Sequence, residues 1–161
     1  MSRVLPEVAS MIFFFYGSLI FPKVLLRILQ SGRNKNDDPV VIEEMIPATL
    51  KGYKRRKVLG TSYPAIIKDD NSETHGVAVK GLTPRDISIL DHYEGDQYMK
   101  KDVEVFPINS KGDNGQPKGA PISAQTYVWI DSPEFLEDQD WDQEEFKKRT
   151  DEYLEEELRN F

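Results

Sequence analysis

The sequence predicts an α+β fold, a small mixed and mainly antiparallel β-barrel with peripheral helices. Three observations carry that expectation. Segments rich in β-branched and aromatic residues recur along the chain, about six of them by pattern. Most links between them are too short for the crossover that parallel neighbours require, so antiparallel pairing should dominate. Helical spacing of apolar residues is confined to a few short stretches, so helices decorate the sheet and a doubly wound arrangement is excluded.

Taken in order, residues 1–10 read as a loose lead-in. Residues 11–16 form a strand buried on both faces, because Phe13, Phe14, Phe15 and Tyr16 fill it without polar alternation. The Gly17-Ser18 corner that follows is read as a turn exploiting backbone angles open to glycine. Pro22 suits the first turn of a helix whose stripe is Val24, Leu25, Ile28 and Leu29, closed by Ser31-Gly32. Arg33 to Pro39 is polar and turn-rich, a surface loop.

From Val40 onward the pattern predicts strands over 41–50 and 53–59, with Lys51-Gly52 as a tight turn between them. Tyr63-Pro64 predicts an irregular entry followed by only a short strand. Asp69-Asp70-Asn71-Ser72 is a turn cluster, and 75–80 is a strand alternating through Val77 and Val79. Thr83 as cap, Pro84 at the first position and Asp86 at the positive end of the dipole start a helix. Ile87, Leu90 and Tyr93 are its inner face, and Gly95 ends it. Strands follow over 98–108 and 124–130, separated by an exposed excursion, Asn109 to Pro121. An acidic C-terminal helix over 140–161 completes the chain, with Phe146, Tyr153, Leu154 and Leu158 at helical spacing.

The 161 residues suit one domain, with 39% hydrophobic and 11% aromatic content supporting a packed core. Cysteine is absent, which excludes a disulfide scaffold, a thiolate nucleophile and cysteine-ligated metal. No apolar run reaches the roughly 18–20 residues of a membrane span, and no secretory leader pattern is visible. A soluble, cytoplasmic protein that binds no membrane is the expectation. A net charge of −7 argues against gripping nucleic acid. The basic cluster Lys51, Lys54, Arg55, Arg56 and Lys57 is read as a strand with one solvated face.

The candidate chemistry lies in two places. The turn at Tyr16, Gly17, Ser18 and Leu19 presents main-chain donors suited to an anion or a polarised carbonyl. Glu94 stands beside Tyr93 and Tyr98 after an apolar helix, where lost hydration raises its proton affinity toward neutrality. His75 and His92 are isolated, so neither a transition-metal site nor a cofactor is expected, and a Ser18–His–Asp triad has no local support. Phosphate-loop spacings are absent.

The landmarks resemble, in order, those of gamma-glutamylcyclotransferase-like proteins, in particular the branch named after an avirulence-induced plant gene. They are Tyr16-Gly17-Ser18-Leu19, the Tyr-Pro-Ala-Ile element at 63–66, Gly81-Leu82-Thr83, the Leu90–Tyr98 segment, the Gln-Thr-Tyr-Val-Trp strand at 125–129 and Trp141–Phe146. The resemblance implies a pocket near the first turn, substrate held by the amides of 16–19, and Glu94 as general acid/base. The reaction it implies is intramolecular: the α-amine of a γ-glutamyl amine or γ-glutamyl amino acid attacks its own γ-carbonyl, closing 5-oxoproline and expelling the attached amine. Tyr98 and Tyr127 either line the pocket, orient the acid, or serve as core packing. Leu19 stands where the branch acting on γ-glutamyl amino acids has Asn. The alternatives are a non-catalytic module holding a small ligand or a partner protein on the same barrel, and a serine hydrolase using Ser18.

Overall fold

The computed structural model describes residues 11–33, 39–108 and 120–149. The expected lead-in, residues 34–38 of the expected surface loop, nearly all of the expected 109–121 excursion and the part of the expected terminal helix beyond 149 lie outside the described residues. The elements are β1 (Met11–Phe15), α1 (Pro22–Ser31), β2 (Glu44–Lys57), β3 (Pro64–Leu82), α2 (Pro84–Glu94), β4 (Tyr98–Pro107), β5 (Ile122–Trp129) and α3 (Gln143–Lys148). The five strands close into a barrel in the order β1-β3-β2-β4-β5. Every pairing is antiparallel except the seam, where β1 runs parallel to β5 at Phe13↔Gln125.

The barrel has fewer strands than the pattern suggests, because two turn signals are spent inside strands. β2 is continuous through Lys51-Gly52, where a tight turn was expected. Both of its halves pair with β3, Lys51 with Glu73 and Tyr53 with Lys68. Gly52, at φ 86°, takes a left-handed conformation that absorbs a bulge. Opposite it β3 loops out through Asp69–Ser72, whose carboxylate accepts from the Asn71 N–H and the Ser72 hydroxyl. The short strand after Tyr63 and the separate strand at 75–80 are thus one element, with Pro64 at its first position, where its missing N–H costs least.

β1 shows why its sequence has no polar face. Phe13 and Phe15 point into a cluster with α1, α2 and Leu82, whereas Phe14 and Tyr16 point into the barrel interior with Ala48, Leu50, Ile66 and Val105. The α1 stripe Val24, Leu25, Ile28 and Leu29 is fully buried in the first cluster. α2 starts with a complete capping box between Thr83 and Asp86. Asp86 is also paired with Arg33, tying the end of α1 to the start of α2. In the acidic tail, the described helix is Gln143–Lys148, capped by Asp142.

The basic stretch of β2 is not simply solvated. The chain after β5 runs back along it: the Lys57 N–H donates to the Gln139 carbonyl, and the Glu137 N–H to the Lys57 carbonyl. Arg56 donates to the Glu137 and Leu136 carbonyls, and Lys57 pairs with Glu137. Lys51 and Lys54 remain exposed. The strand thus uses Arg56 and Lys57 on the strap of carbonyls and acids beside it. No helix of the described residues is long and apolar enough to cross a membrane.

Candidate active site

A cavity of about 150 Å³ opens at one end of the barrel, where β1 leaves the sheet, β3 enters it and α2 stops. The turn after β1 forms one wall. Glu94, the last residue of α2, forms another, and Tyr63, Pro64, Tyr98 and Tyr127 complete much of the lining. The residues singled out from sequence (Tyr16, Gly17, Ser18, Leu19, Glu94, Tyr98 and Tyr127) therefore all meet at this one cavity.

The turn is built by consecutive carbonyls that are all engaged. The Tyr16 carbonyl accepts from Arg55 at 2.8 Å, that of Gly17 from the Ile20 N–H at 3.0 Å, and that of Ser18 from the Phe21 N–H at 3.3 Å. Among the described residues no protein acceptor takes the N–H groups of Gly17, Ser18 and Leu19. Three successive amides in such a turn are a concave donor set for an oxyanion or carboxylate. The Ser18 side chain, on a residue only 6% exposed, also has no hydrogen-bond partner among the described residues.

Gly17 has φ −122° and ψ −137°, so the corner is not in the left-handed region. The requirement is space: a Cβ at this position would lie 2.8 Å from the Pro64 ring. The Tyr-Pro element at 63–64 and the Tyr-Gly element at 16–17 are thus a contact pair.

Glu94 carries the electrostatics. Its carboxyl takes no hydrogen bond among the described residues, and poor solvation pushes its pKa up to about 8, with the Asp91 carboxylate adding to the rise. Asp91 and Glu94 share a helix face by their spacing of three, a signal in the sequence that sequence reasoning left unused. Asp91 accepts from the Tyr127 hydroxyl at 2.7 Å and from Lys100 at 2.9 Å.

The tyrosines have structural partners of their own. Tyr98 donates to the Pro64 carbonyl at 3.1 Å and Tyr16 to the Tyr127 carbonyl at 2.7 Å. Neither Tyr98 nor Tyr127 holds the Glu94 carboxyl. Burial first raises the phenols of Tyr16 and Tyr127 well above their ordinary values, with the Tyr98 phenol and Glu94 adding at Tyr16 and the hydrogen bond to Asp91 adding at Tyr127. Both remain neutral donors near neutral pH, where the Glu94 carboxyl lies close to its own pKa.

No histidine lines the cavity, so Ser18 has no imidazole base there. His75 is exposed and contacts Thr49 at 2.9 Å, and His92 is exposed on α2. No three His, Asp or Glu side chains among the described residues converge as a metal would need. Sequence reasoning missed Arg55, whose carbonyl partner leaves no trace in a sequence.

Comparison with known proteins agrees with this architecture. A family model described as gamma-glutamyl cyclotransferase, AIG2-like, matches residues 13–143. AIG2-like protein B of Arabidopsis thaliana is 33% identical over 135 residues, which cover 84% of this chain and 68% of the relative. An Arabidopsis thaliana protein solved in solution superposes with a TM-score of 0.62 at 29% identity, over 99% of this chain and 85% of that one. A yeast gamma-glutamyl cyclotransferase specific to glutathione shares the fold, with a TM-score of 0.53 at 16% identity over 81% of this chain and 74% of that one.

Proposed function

The chain belongs to the gamma-glutamyl cyclotransferase, AIG2-like family, and from that membership we propose that it is a metal-independent cyclotransferase acting on a γ-glutamyl amine or γ-glutamyl amino acid. One observation carries the reading: an unpartnered carboxyl of raised proton affinity shares a small cavity with three free main-chain amides.

The chemistry follows from those groups. The substrate brings its own nucleophile, so the protein need only hold a folded conformer and handle charge. The α-amine nitrogen attacks the γ-carbonyl carbon, a C–N bond forms, and ionised Glu94 takes the proton that the nitrogen loses. The carbonyl oxygen becomes an oxyanion, held by the amides of Gly17, Ser18 and Leu19, which are fixed before the reaction begins. Collapse breaks the original C–N bond while Glu94 returns the proton to the leaving nitrogen. The products are 5-oxoproline and a free amine, and Glu94 ends as it began.

A raised pKa sets the sign of the pH dependence. Below about 8 the carboxyl is mostly protonated and cannot accept the amine's proton. kcat/KM should therefore climb as pH rises through neutrality and level off above about 8, a profile read from initial rates across buffers. Glu94→Gln should keep the fold and lower release of 5-oxoproline by about 10²- to 10⁴-fold. Full activity in that variant removes Glu94 from the mechanism. Binding of γ-glutamyl-alanine or γ-glutamyl-methylamine by the wild type with no 5-oxoproline formed would make the barrel a binding module instead.

A further inference from the structure

We propose that Arg55 is a positioning residue for the candidate oxyanion site, clamping the Tyr16–Gly17 peptide so that the Gly17 N–H is fixed toward the cavity. The proposal rests on the cyclotransferase reading for its kinetic consequence, but not for its geometry. Arg55 lies on β2, is not among the residues that line the cavity, and its side chain is only 14% exposed. Its Nη1 donates to the Tyr16 carbonyl at 2.8 Å. In a trans peptide the C=O and N–H of one unit point in opposite directions. Holding the Tyr16 oxygen on Arg55 therefore sets where the Gly17 hydrogen points.

The guanidinium is itself aimed by two further groups. Nε and Nη2 donate to the two carboxylate oxygens of Asp140, at 2.7 and 3.2 Å. The Trp141 ring lies under the guanidinium carbon, 5.3 Å from its centroid. Trp141 is anchored in turn by its indole N–H on the Ser62 carbonyl at 2.7 Å and by the Phe146 ring at 5.3 Å. Asp140 also accepts the Trp141 backbone N–H at 2.7 Å. A fork that meets a carboxylate on one edge, a carbonyl on another and an aromatic face below is a geometry that lysine cannot reproduce. A full positive charge on the carbonyl also polarises that peptide, strengthening its N–H as a donor.

The arrangement gives the strap after β5 a role beyond covering the barrel. Asp140 and Trp141 lie in it, so the strap reaches the catalytic turn through one side chain. Carbonyls two and three of the turn are held by the turn's own backbone, whereas the first has Arg55.

The test uses the full chain with Arg55→Lys and, as a milder perturbation, Asp140→Asn. Two readouts are taken: the amide ¹⁵N–¹H resonances of residues 16–19, and 5-oxoproline release from γ-glutamyl-methylamine. The Gly17 resonance should move and broaden in Arg55→Lys while the resonances of α2 stay in place. kcat should fall by about 10- to 100-fold with KM changed less than about twofold, and the pH profile should keep its Glu94 limb. Asp140→Asn should move both readouts in the same direction by less. An unmoved Gly17 resonance in both variants overturns the clamp, as does a loss confined to KM or to thermal stability. Absence of turnover in the wild type would end the cyclotransferase reading, and the Gly17 resonance would still decide the clamp.

Discussion

The raised pKa of Glu94 makes stability fall as pH rises toward neutrality. In the unfolded chain its carboxyl has the ordinary value of 4.5, and in the folded protein about 8. Below the lower value both states are protonated and the residue costs nothing. As pH rises from there the unfolded chain ionises first, so stability falls until the folded carboxyl also ionises near 8. Glu94→Gln should therefore melt with the wild type near pH 4 and above it at pH 8. The gain should be about 1–3 kcal/mol, since solvent at the cavity mouth reduces the full linkage value. Asp91→Asn removes the neighbouring charge and should shift the rising limb of activity to lower pH. Gly17→Ala drives a methyl group into the Pro64 ring at 2.8 Å and should cost about 1–3 kcal/mol in denaturant titration. The sequence singled out Gly17 and Glu94 because a glycine corner after an aromatic strand, and an acid among tyrosines, are local patterns. The crowding of Gly17 was not legible, because the Pro64 ring that crowds it is a tertiary neighbour. Arg55 was hidden for the same cause: its partners are a distant carboxylate and a carbonyl that belongs to no side chain.

Elements with local punctuation were legible, and elements whose punctuation serves a partner were not. α1 and α2 match their expected bounds because Pro22, Thr83, Pro84 and Gly95 act within one turn of the chain they delimit. Lys51-Gly52 and Asp69–Ser72 carry turn chemistry too, but each faces the other across a ladder, and together they make one distortion in a long ribbon. A single sequence holds no information about that pairing. The cap of α2 can be tested directly. Thr83→Ala removes the hydroxyl that accepts the Asp86 N–H and leaves in place the reciprocal bond from the backbone N–H of residue 83 to the Asp86 carboxylate. It should cost about 1 kcal/mol, measured as a shift in denaturant midpoint. Because α2 delivers Glu94 at its other end, the loss should appear in stability and leave the pH profile of turnover unchanged.

At the scale of the molecule the barrel closes on one seam. β1 and β5 meet in parallel at Phe13↔Gln125, backed by the buried Thr126 hydroxyl donating to the Phe14 carbonyl at 2.8 Å. Thr126→Val keeps the shape, removes that donor and should destabilise by about 1–3 kcal/mol. Contacts this far apart in sequence also make folding slow compared with a helical bundle, on the order of milliseconds to seconds in a stopped-flow experiment. The seam has a further consequence during synthesis. A ribosome releases the phenylalanine-rich edge of β1 long before it has made the strand that covers it, and a nascent chain cannot shut the barrel until β5 has cleared the exit tunnel. Through that interval an apolar edge stays open to association with other chains.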